Sequence, residues 1–181
     1  MEKIELIYNI KVFFKKIRYN NKKGIIMAVE IEKKFLINFD YLKEEHPNIL
    51  KNPIEIQQGY IAKTEDNTVV RVRIANKKGF LTIKGANIGC SRPEFEYEIP
   101  YEDALTMLNT LCTKKIIKKR YLLELNKHTW EIDIFEGKNK GLIIAEIELT
   151  NENELFEIPK WIKKEVTNDK KYYNSNLLEN E

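Results

Sequence analysis

Alternation of apolar and charged residues governs the chain from Ala28 onward. In Ala28-Val29-Glu30-Ile31-Glu32-Lys33-Lys34-Phe35-Leu36, an extended backbone puts Glu30, Glu32 and Lys34 on one face. Val29, Ile31 and Phe35 fall on the other. The same two-residue period returns over 54–63, 68–75, 80–84, 92–99, 116–125, 129–135 and 142–150, so eight strands are predicted. Glu65-Asp66-Asn67 reads as a turn, and Asn76 to Gly79 and Asn126-Lys127 close hairpins. Helical spacing is confined to 101–111, where Ala104, Leu105 and Leu108 share a face, with shorter helical pieces over 40–45, 152–157 and 169–178.

Two architectures satisfy this pattern. An open antiparallel sheet can bury its apolar face under a few helices and show its charges to water, which is the commoner arrangement. Alternatively the sheet closes on itself with the ionic face inside, and closure removes its edges. The choice of charged residues shifts the balance towards closure. Acids repeat on the first strand (Glu30, Glu32), the fifth (Glu94, Glu96, Glu98), the seventh (Glu131, Asp133) and the eighth (Glu146, Glu148). Bases repeat on the third (Arg71, Arg73), the fourth (Lys84, in phase with Thr82) and the sixth (Lys118, Arg120). A solvated face carries a looser mixture. Arginine forks grip phosphate oxygens in pairs, lysines neutralise them as point charges, and clustered carboxylates suit hard cations such as Mg²⁺ or Mn²⁺. Acids and bases lining one cavity match a metal-bound polyphosphate.

Composition narrows the alternatives. The length of 181 residues suits one domain, and 33% charged residues make it charge-rich. The net charge of +3 is uneven: residues 1–26 hold seven Lys/Arg against two Glu, leaving 24 bases against 26 acids in the remainder. The basic surplus therefore belongs to the N-terminal stretch, and no nucleic-acid footprint is expected on the body. Two Cys and two His exclude a disulfide framework, a zinc cluster and a His-based nucleophile triad. No Gly-rich phosphate loop of the P-loop kind is present. In 1–26, Leu6, Ile10, Phe13, Phe14 and Ile17 fall on one helical face with Lys11, Lys15, Arg18 and Lys22 opposite. This is an extension separate from the domain at 27–181, either idle or upstream of a start at Met27, and it offers the only route to an anionic membrane surface. With neither a secretory pattern nor an apolar span, a cytoplasmic protein is expected.

In combination, the motifs resemble the CYTH domain, the triphosphate tunnel metalloenzymes. Glu30-Ile31-Glu32-Lys33-Lys34 fits the family's ExExK signature. In order follow Arg71-Val72-Arg73, Leu81-Thr82-Ile83-Lys84, Arg92-Pro93-Glu94-Phe95-Glu96, Lys118-Lys119-Arg120-Tyr121, Glu131-Ile132-Asp133 and Glu146-Ile147-Glu148, then Glu165-Val166-Thr167 through Tyr172-Tyr173-Asn174-Ser175-Asn176-Leu177. The likeness spans 28–178 and is nearest to small bacterial enzymes that hydrolyse inorganic tripolyphosphate. It implies a mostly β (α+β) fold: a closed eight-stranded antiparallel barrel, a tunnel, with short helices packed outside. It also implies that Lys34, Arg71, Arg73, Lys84, Lys118, Arg120 and Lys171 hold the triphosphate. Glu30, Glu32, Glu94, Glu96, Asp133, Glu146 and Glu148 then supply the ligands for one or two Mg²⁺ or Mn²⁺ ions. Glu32, Lys34, Asp133 and Glu148 are the residues expected at the chemistry. One departure is Gln57, where close relatives often carry Arg before Gln-Gly-Tyr. For Arg92 and Glu98 a structural ion pair is as good an account as function.

The resemblance implies hydrolysis of a phosphoanhydride bond, with inorganic tripolyphosphate giving diphosphate and phosphate. The family's other chemistry, class IV adenylyl cyclase, needs a base pocket that no segment clearly provides. A non-catalytic polyphosphate or nucleotide sensor would keep the bases but need not keep the carboxylates. A monomer or homodimer acting on a small-molecule triphosphate is expected.

Overall fold

The computed structural model describes residues 29–178, and the predicted extension at 1–26 lies outside them. Strand β1 (Val29–Ile37) leads into helix α1 (Phe39–Glu45), then β2 (Ile54–Lys63), β3 (Val69–Ala75), β4 (Lys78–Lys84) and β5 (Ser91–Ile99). Helix α2 (Tyr101–Thr110) follows, then β6 (Lys115–Leu125), β7 (His128–Phe135), β8 (Ile143–Glu148) and β9 (Ile162–Glu165). The strand order is β5-β4-β3-β2-β6-β7-β8-β1, and β1 also pairs with β5. Eight antiparallel strands therefore close into a barrel, and the open-sheet alternative does not hold.

Closure depends on β1 changing partners. Its first residues, Val29 to Ile31, pair with Pro93 to Ser91 of β5. Its second half, Glu32 to Leu36, pairs with Glu148 to Ile144 of β8. Strand β9 lies outside the ring and adds to β1 from Phe35 onward. Two hairpins are set by local chemistry. Asn76-Lys77 have φ of 46° and 64°, and Asn126-Lys127 have 51° and 61°. Paired positive φ values make the type I′ turn, whose twist matches that of the flanking strands.

The apolar faces point outward and are covered there. Phe35, Ile132, Ala145 and Ile147 pack with Leu42 of α1 and with Trp130, Leu149 and Trp161. The Trp130 and Trp161 rings meet edge to face at 5.1 Å, and Phe35 lies 5.5 Å from Trp130. Each large side chain removed from water in this way contributes about 1.5–3 kcal/mol. Helix α2 covers the opposite wall, setting Ala104 and Leu108 on Val72. It can approach because two strand residues lack side chains: a Cβ on Gly59 would lie 2.6 Å from the Cys112 Cβ, and one on Gly79 would lie 2.7 Å from the Ala104 Cβ. The interior is not wholly ionic. Ile54, Ile56, Ala75 and Phe80 form a buried apolar cluster on inward positions of β2, β3 and β4.

Three local expectations differ. Residues 152–157 form a turn and irregular chain rather than helix. Phe156 alone packs inward there, against Phe35 and Trp130, while its neighbour Leu155 is 94% exposed. Over 169–178 the only helical piece is a 3-10 turn, Lys170–Tyr172, with turns following at 174–178. Strand β9 escaped prediction because its residues, Ile-Lys-Lys-Glu, show no alternation and lie mostly exposed.

Candidate active site

The period of two and the antiparallel registers decide what faces inward. Glu30, Glu32 and Lys34 enter from β1, Arg71 and Arg73 from β3, and Thr82 and Lys84 from β4. Glu94 and Glu96 stand directly across from Lys84 and Thr82. Lys118 and Arg120 enter from β6, Asp133 from β7 beside Arg120, and Glu146 and Glu148 from β8 beside Lys34 and Glu32. Lys34, Arg71, Arg73, Lys84, Lys118, Arg120, Glu30, Glu94, Asp133 and Glu146 are all buried. Burying this many ionisable groups is tolerable only when opposite charges meet.

They meet in three connected groups. Near the mouth, Lys84 Nζ lies 2.7 Å from Glu30 and 3.3 Å from Glu94. Arg92 there bridges Glu30 at 2.9 Å and Glu32 at 3.2 Å. On the β3–β5 wall, Glu96 accepts from Arg73 at 2.8 Å, from Arg71 at 3.1 Å and from the Thr82 hydroxyl at 2.8 Å. On the β6–β8 wall, Arg120 donates to Asp133 through Nε at 2.6 Å and to Glu146 at 2.8 Å, and also pairs with Glu131. Lys118 donates to Asp133. Lys34 joins the groups, donating to Glu146 and lying 2.9 Å from Glu32.

Burial and neighbours push these groups in different directions. Burial lowers the Lys84 ammonium to about 8, helped by the cation of Arg92 and opposed by Glu30 and Glu94. Burial likewise lowers Lys118, and Asp133 offsets this only in part. For Lys34 burial works downward too, but Glu146 and Glu32 outweigh it and hold the amine above its ordinary value. Burial would raise the Glu146 carboxyl, yet Lys34, Arg120 and Lys118 keep it well below the usual carboxylate range. Lys34 and Glu146 thus hold their opposite charges against burial, whereas Lys84 and Lys118 hold theirs less firmly.

A cavity of about 50 Å³ opens at one end of the barrel. Its lining includes Glu32, Lys34, Tyr60, Arg71, Lys84 and Arg92. That is room for a few waters. A polyanion would have to enter by taking the bases from their carboxylate partners. Residues 173–175 and Thr167 form part of the rim, so the C-terminal chain completes the mouth.

The predicted site residues divide clearly. Every named residue from β1 to β8 stands on the inner wall, Glu148 among them as the direct partner of Glu32. Lys171 does not join them: its side chain is exposed on the 3-10 turn, with Nζ 5.8 Å from the Tyr172 ring centroid. Arg92 is built into the mouth, whereas Glu98 lies outside it, its side chain 56% exposed and 3.9 Å from Lys78. Gln57 faces outward between Ile74 and Ile117, so the departure from relatives at this position does not touch the interior. Its neighbour Gln58 faces in and is 1% exposed. The sequence reading placed Glu131 and Thr82 on ionic strand faces without giving them a role, and it overlooked Gln58 and Tyr60. Strand phase marks both, and Gly59 between them, which lacks a side chain, lies on the outward face.

A closed antiparallel barrel filled with paired bases and acids defines a chamber for a small polyanion. The CYTH domain matches residues 28–177, and the chain belongs to that family. It is 48% identical over 155 residues to a protein of Acetivibrio thermocellus named inorganic triphosphatase, covering 85% of this chain and 96% of that one. It is 30% identical over 151 residues to an inorganic triphosphatase of Nitrosomonas europaea, covering 82% and 95%. Among solved structures it is similar to a crystal structure of an inorganic triphosphatase, with TM-score 0.57, 26% identity, and coverage of 84% and 95%.

The inner wall also suits a divalent cation by donor chemistry. Glu32 and Glu148 are two hard oxygen donors in direct cross-strand register, as are Glu131 and Glu146. Like charges so placed repel unless a cation stands between them. Among the described residues no three His, Cys, Asp or Glu side chains are already gathered as an ion site. Glu30, Glu32, Glu94, Glu96, Glu131, Asp133 and Glu146 are each turned onto a base, so loading an ion on them means turning them back.

Proposed function

We propose that this protein hydrolyses a phosphoanhydride bond of a small triphosphate, inorganic tripolyphosphate first, with the help of Mg²⁺ or Mn²⁺. The observation that carries this reading is the set of six buried bases, Lys34, Arg71, Arg73, Lys84, Lys118 and Arg120, inside one closed barrel. Each base already meets an interior carboxylate, and a chain of phosphates supplies negative charge that matches the whole set. Two relatives named inorganic triphosphatase support the substrate class.

The bases bind and hold the triphosphate. Arg71 and Arg73 present their guanidinium groups side by side on one strand, which suits bidentate grip of successive phosphates. Lys34, Lys84, Lys118 and Arg120 neutralise charge that builds on the phosphoryl oxygens and the leaving diphosphate. With the bases drawn onto phosphates, Glu30, Glu32, Glu146 and Glu148 are the residues that would hold a divalent cation. When bound, a divalent cation would neutralise phosphate charge and acidify water. Asp133 or Glu148 then orients the attacking water and accepts its proton. No side chain of the barrel has the setting of an activated nucleophile, so water attacks directly. A cytoplasmic setting and action as a monomer or homodimer complete this reading. No helix among the described residues is long and apolar enough to cross a membrane.

The deciding experiment incubates purified protein with Mg²⁺ or Mn²⁺ and tripolyphosphate, ATP or thiamine triphosphate, reading phosphate and cyclic AMP. Phosphate release, greatest from tripolyphosphate, is expected. Cyclic AMP as the main product would replace hydrolysis with cyclisation.

A further inference from the structure

Gln58 is a buried polar inward position on the β2 wall that the chemistry above leaves unused. Its side chain is 1% exposed. Neither the amide nitrogen nor the carbonyl oxygen has a hydrogen-bond partner. Its cross-strand neighbours are Arg73 on β3 and Ile116 on β6. Two residues one way along the strand is Tyr60, which stands across from Arg71 and lines the cavity. Two residues the other way is Ile56, part of the interior apolar cluster. Gln58 therefore stands beside the apolar filling on the β3 side, while Lys118 and Arg120 continue the charged wall past it on β6.

A buried carboxamide with no partner is costly, and leucine would fill the same space without that cost. The surrounding network cannot satisfy it as it stands. Arg73 is turned to Glu96, and Ile116 offers nothing polar. A carboxamide also differs in kind from its charged neighbours. Lys and Arg only donate and ionised carboxylates only accept, while Gln58 does both without charge. A phosphoryl oxygen accepts from its NH₂, and a water or a protonated phosphate oxygen donates to its carbonyl. The phosphates that draw Arg73 from Glu96 bring such oxygens next to Gln58.

We propose that Gln58 is a substrate-contacting residue that holds a phosphoryl group on the β2 wall of the chamber, between Arg73 and Lys118. Its NH₂ donates to a phosphoryl oxygen, and its carbonyl accepts from a water hydrogen-bonded to that group. This rests on the reading of the barrel as a triphosphate chamber and adds a neutral anchor to its charged ones.

The test compares Gln58→Leu and Gln58→Glu with the parent chain. Two readouts are used: thermal melting with and without tripolyphosphate in the absence of metal, and kcat and KM with Mg²⁺. In Gln58→Leu the ligand-free melting temperature should hold or rise, because the unpartnered atoms are gone. The melting gain from tripolyphosphate should shrink, and kcat/KM should fall about tenfold to a hundredfold, the range for a hydrogen bond to a charged group. Gln58→Glu should lose more of the ligand gain, because a carboxylate there repels phosphate. A lower ligand-free melting temperature in Gln58→Leu with an undiminished ligand gain would assign Gln58 to packing and overturn the proposal. Unchanged kcat/KM would overturn it equally. The two readings fail separately. A parent that gains stability from tripolyphosphate without turning it over sinks the hydrolase reading, while the melting comparison still decides Gln58. Turnover that survives Gln58→Leu sinks only the present proposal. A parent with neither response sinks both.

Discussion

Glu32 of β1 and Glu148 of β8 are direct cross-strand partners on the inner wall of the barrel. Lys34 and Arg92 lie beside Glu32, at 2.9 and 3.2 Å, and offset part of the repulsion. Removing one charge of such a pair relieves about 0.2–1 kcal/mol. Glu148→Gln should therefore melt no lower than the parent. If the pair holds metal, turnover should fall by roughly 10²–10³ in Glu148→Gln and in Glu32→Gln, the typical worth of one preorganised electrostatic group. EDTA should abolish activity and Mg²⁺ or Mn²⁺ restore it. Full activity in chelator would remove metal from the account.

Arg73 supports both the fold and the ligand. It pairs with buried Glu96 at 2.8 Å, but Glu96 also accepts from Arg71 and Thr82. Breaking a buried pair costs about 3–5 kcal/mol when the remaining charge is stranded. Because Glu96 keeps two donors, Arg73→Ala should fall below that range while still lowering the melting temperature. It should also lose much of the rise that tripolyphosphate brings to the parent, a rise worth about 2.7 kcal/mol at a hundredfold excess over Kd. Melting curves of both proteins, with and without ligand at fixed salt, make the comparison. Equal ligand shifts would take Arg73 out of the binding site.

Gly59 separates scaffold from site. Alanine there would drive its Cβ to 2.6 Å from Cys112 Cβ and 2.7 Å from its Sγ, on the outer wall under α2. Overpacking of this kind costs about 1–3 kcal/mol. Gly59→Ala should melt lower, yet keep its activity per folded molecule at temperatures where it is folded. A selective loss of kcat with normal melting would mean that α2 governs the chamber.

Acid should expose the loop after β8. The Thr150 hydroxyl donates to Glu154 at 2.5 Å, the Thr150 backbone N–H also donates, and His128 lies 2.9 Å away. These bonds lower the Glu154 carboxyl from 4.5 to about 2. A carboxyl depressed by folding stabilises the native state fully above its unfolded value and loses that contribution as pH falls through its folded one. The window is therefore pH 4.5 down to 2. Solvent screening at this surface keeps the contribution on the order of 1 kcal/mol or less. Urea denaturation across that window should show a shallower loss of stability in Glu154→Gln than in the parent. Parallel curves would place the acid sensitivity elsewhere.

A chain beginning at Met27 should fold and turn over like the full one, because the CYTH match begins at residue 28. Insolubility would make residues 1–26 part of the fold. Normal activity with loss of sedimentation on anionic vesicles would assign the stretch to a membrane surface.

The sequence by itself determined the walls of this protein. Because side chains alternate along a strand, Glu30, Glu32 and Lys34 had to share a face, as did Arg71 with Arg73 and Glu146 with Glu148. Register follows from the same rule, since a slip of one residue would exchange the ionic and apolar faces. Asn76-Lys77 and Asn126-Lys127 likewise carried their hairpins locally. Closure was decided only in three dimensions. It depends on β1 leaving β5 after Ile31 and on β9 taking over that edge, and a two-residue period is the same in an open sheet and a closed one. The ion-pair choices were also tertiary: Lys84 reaches Glu30 across 54 positions of sequence, and Arg73 reaches Glu96 across 23. Gln58 shows the reason most plainly. Its phase was readable, but its lack of partners depends on which residues β3 and β6 place beside it, and no local pattern encodes that.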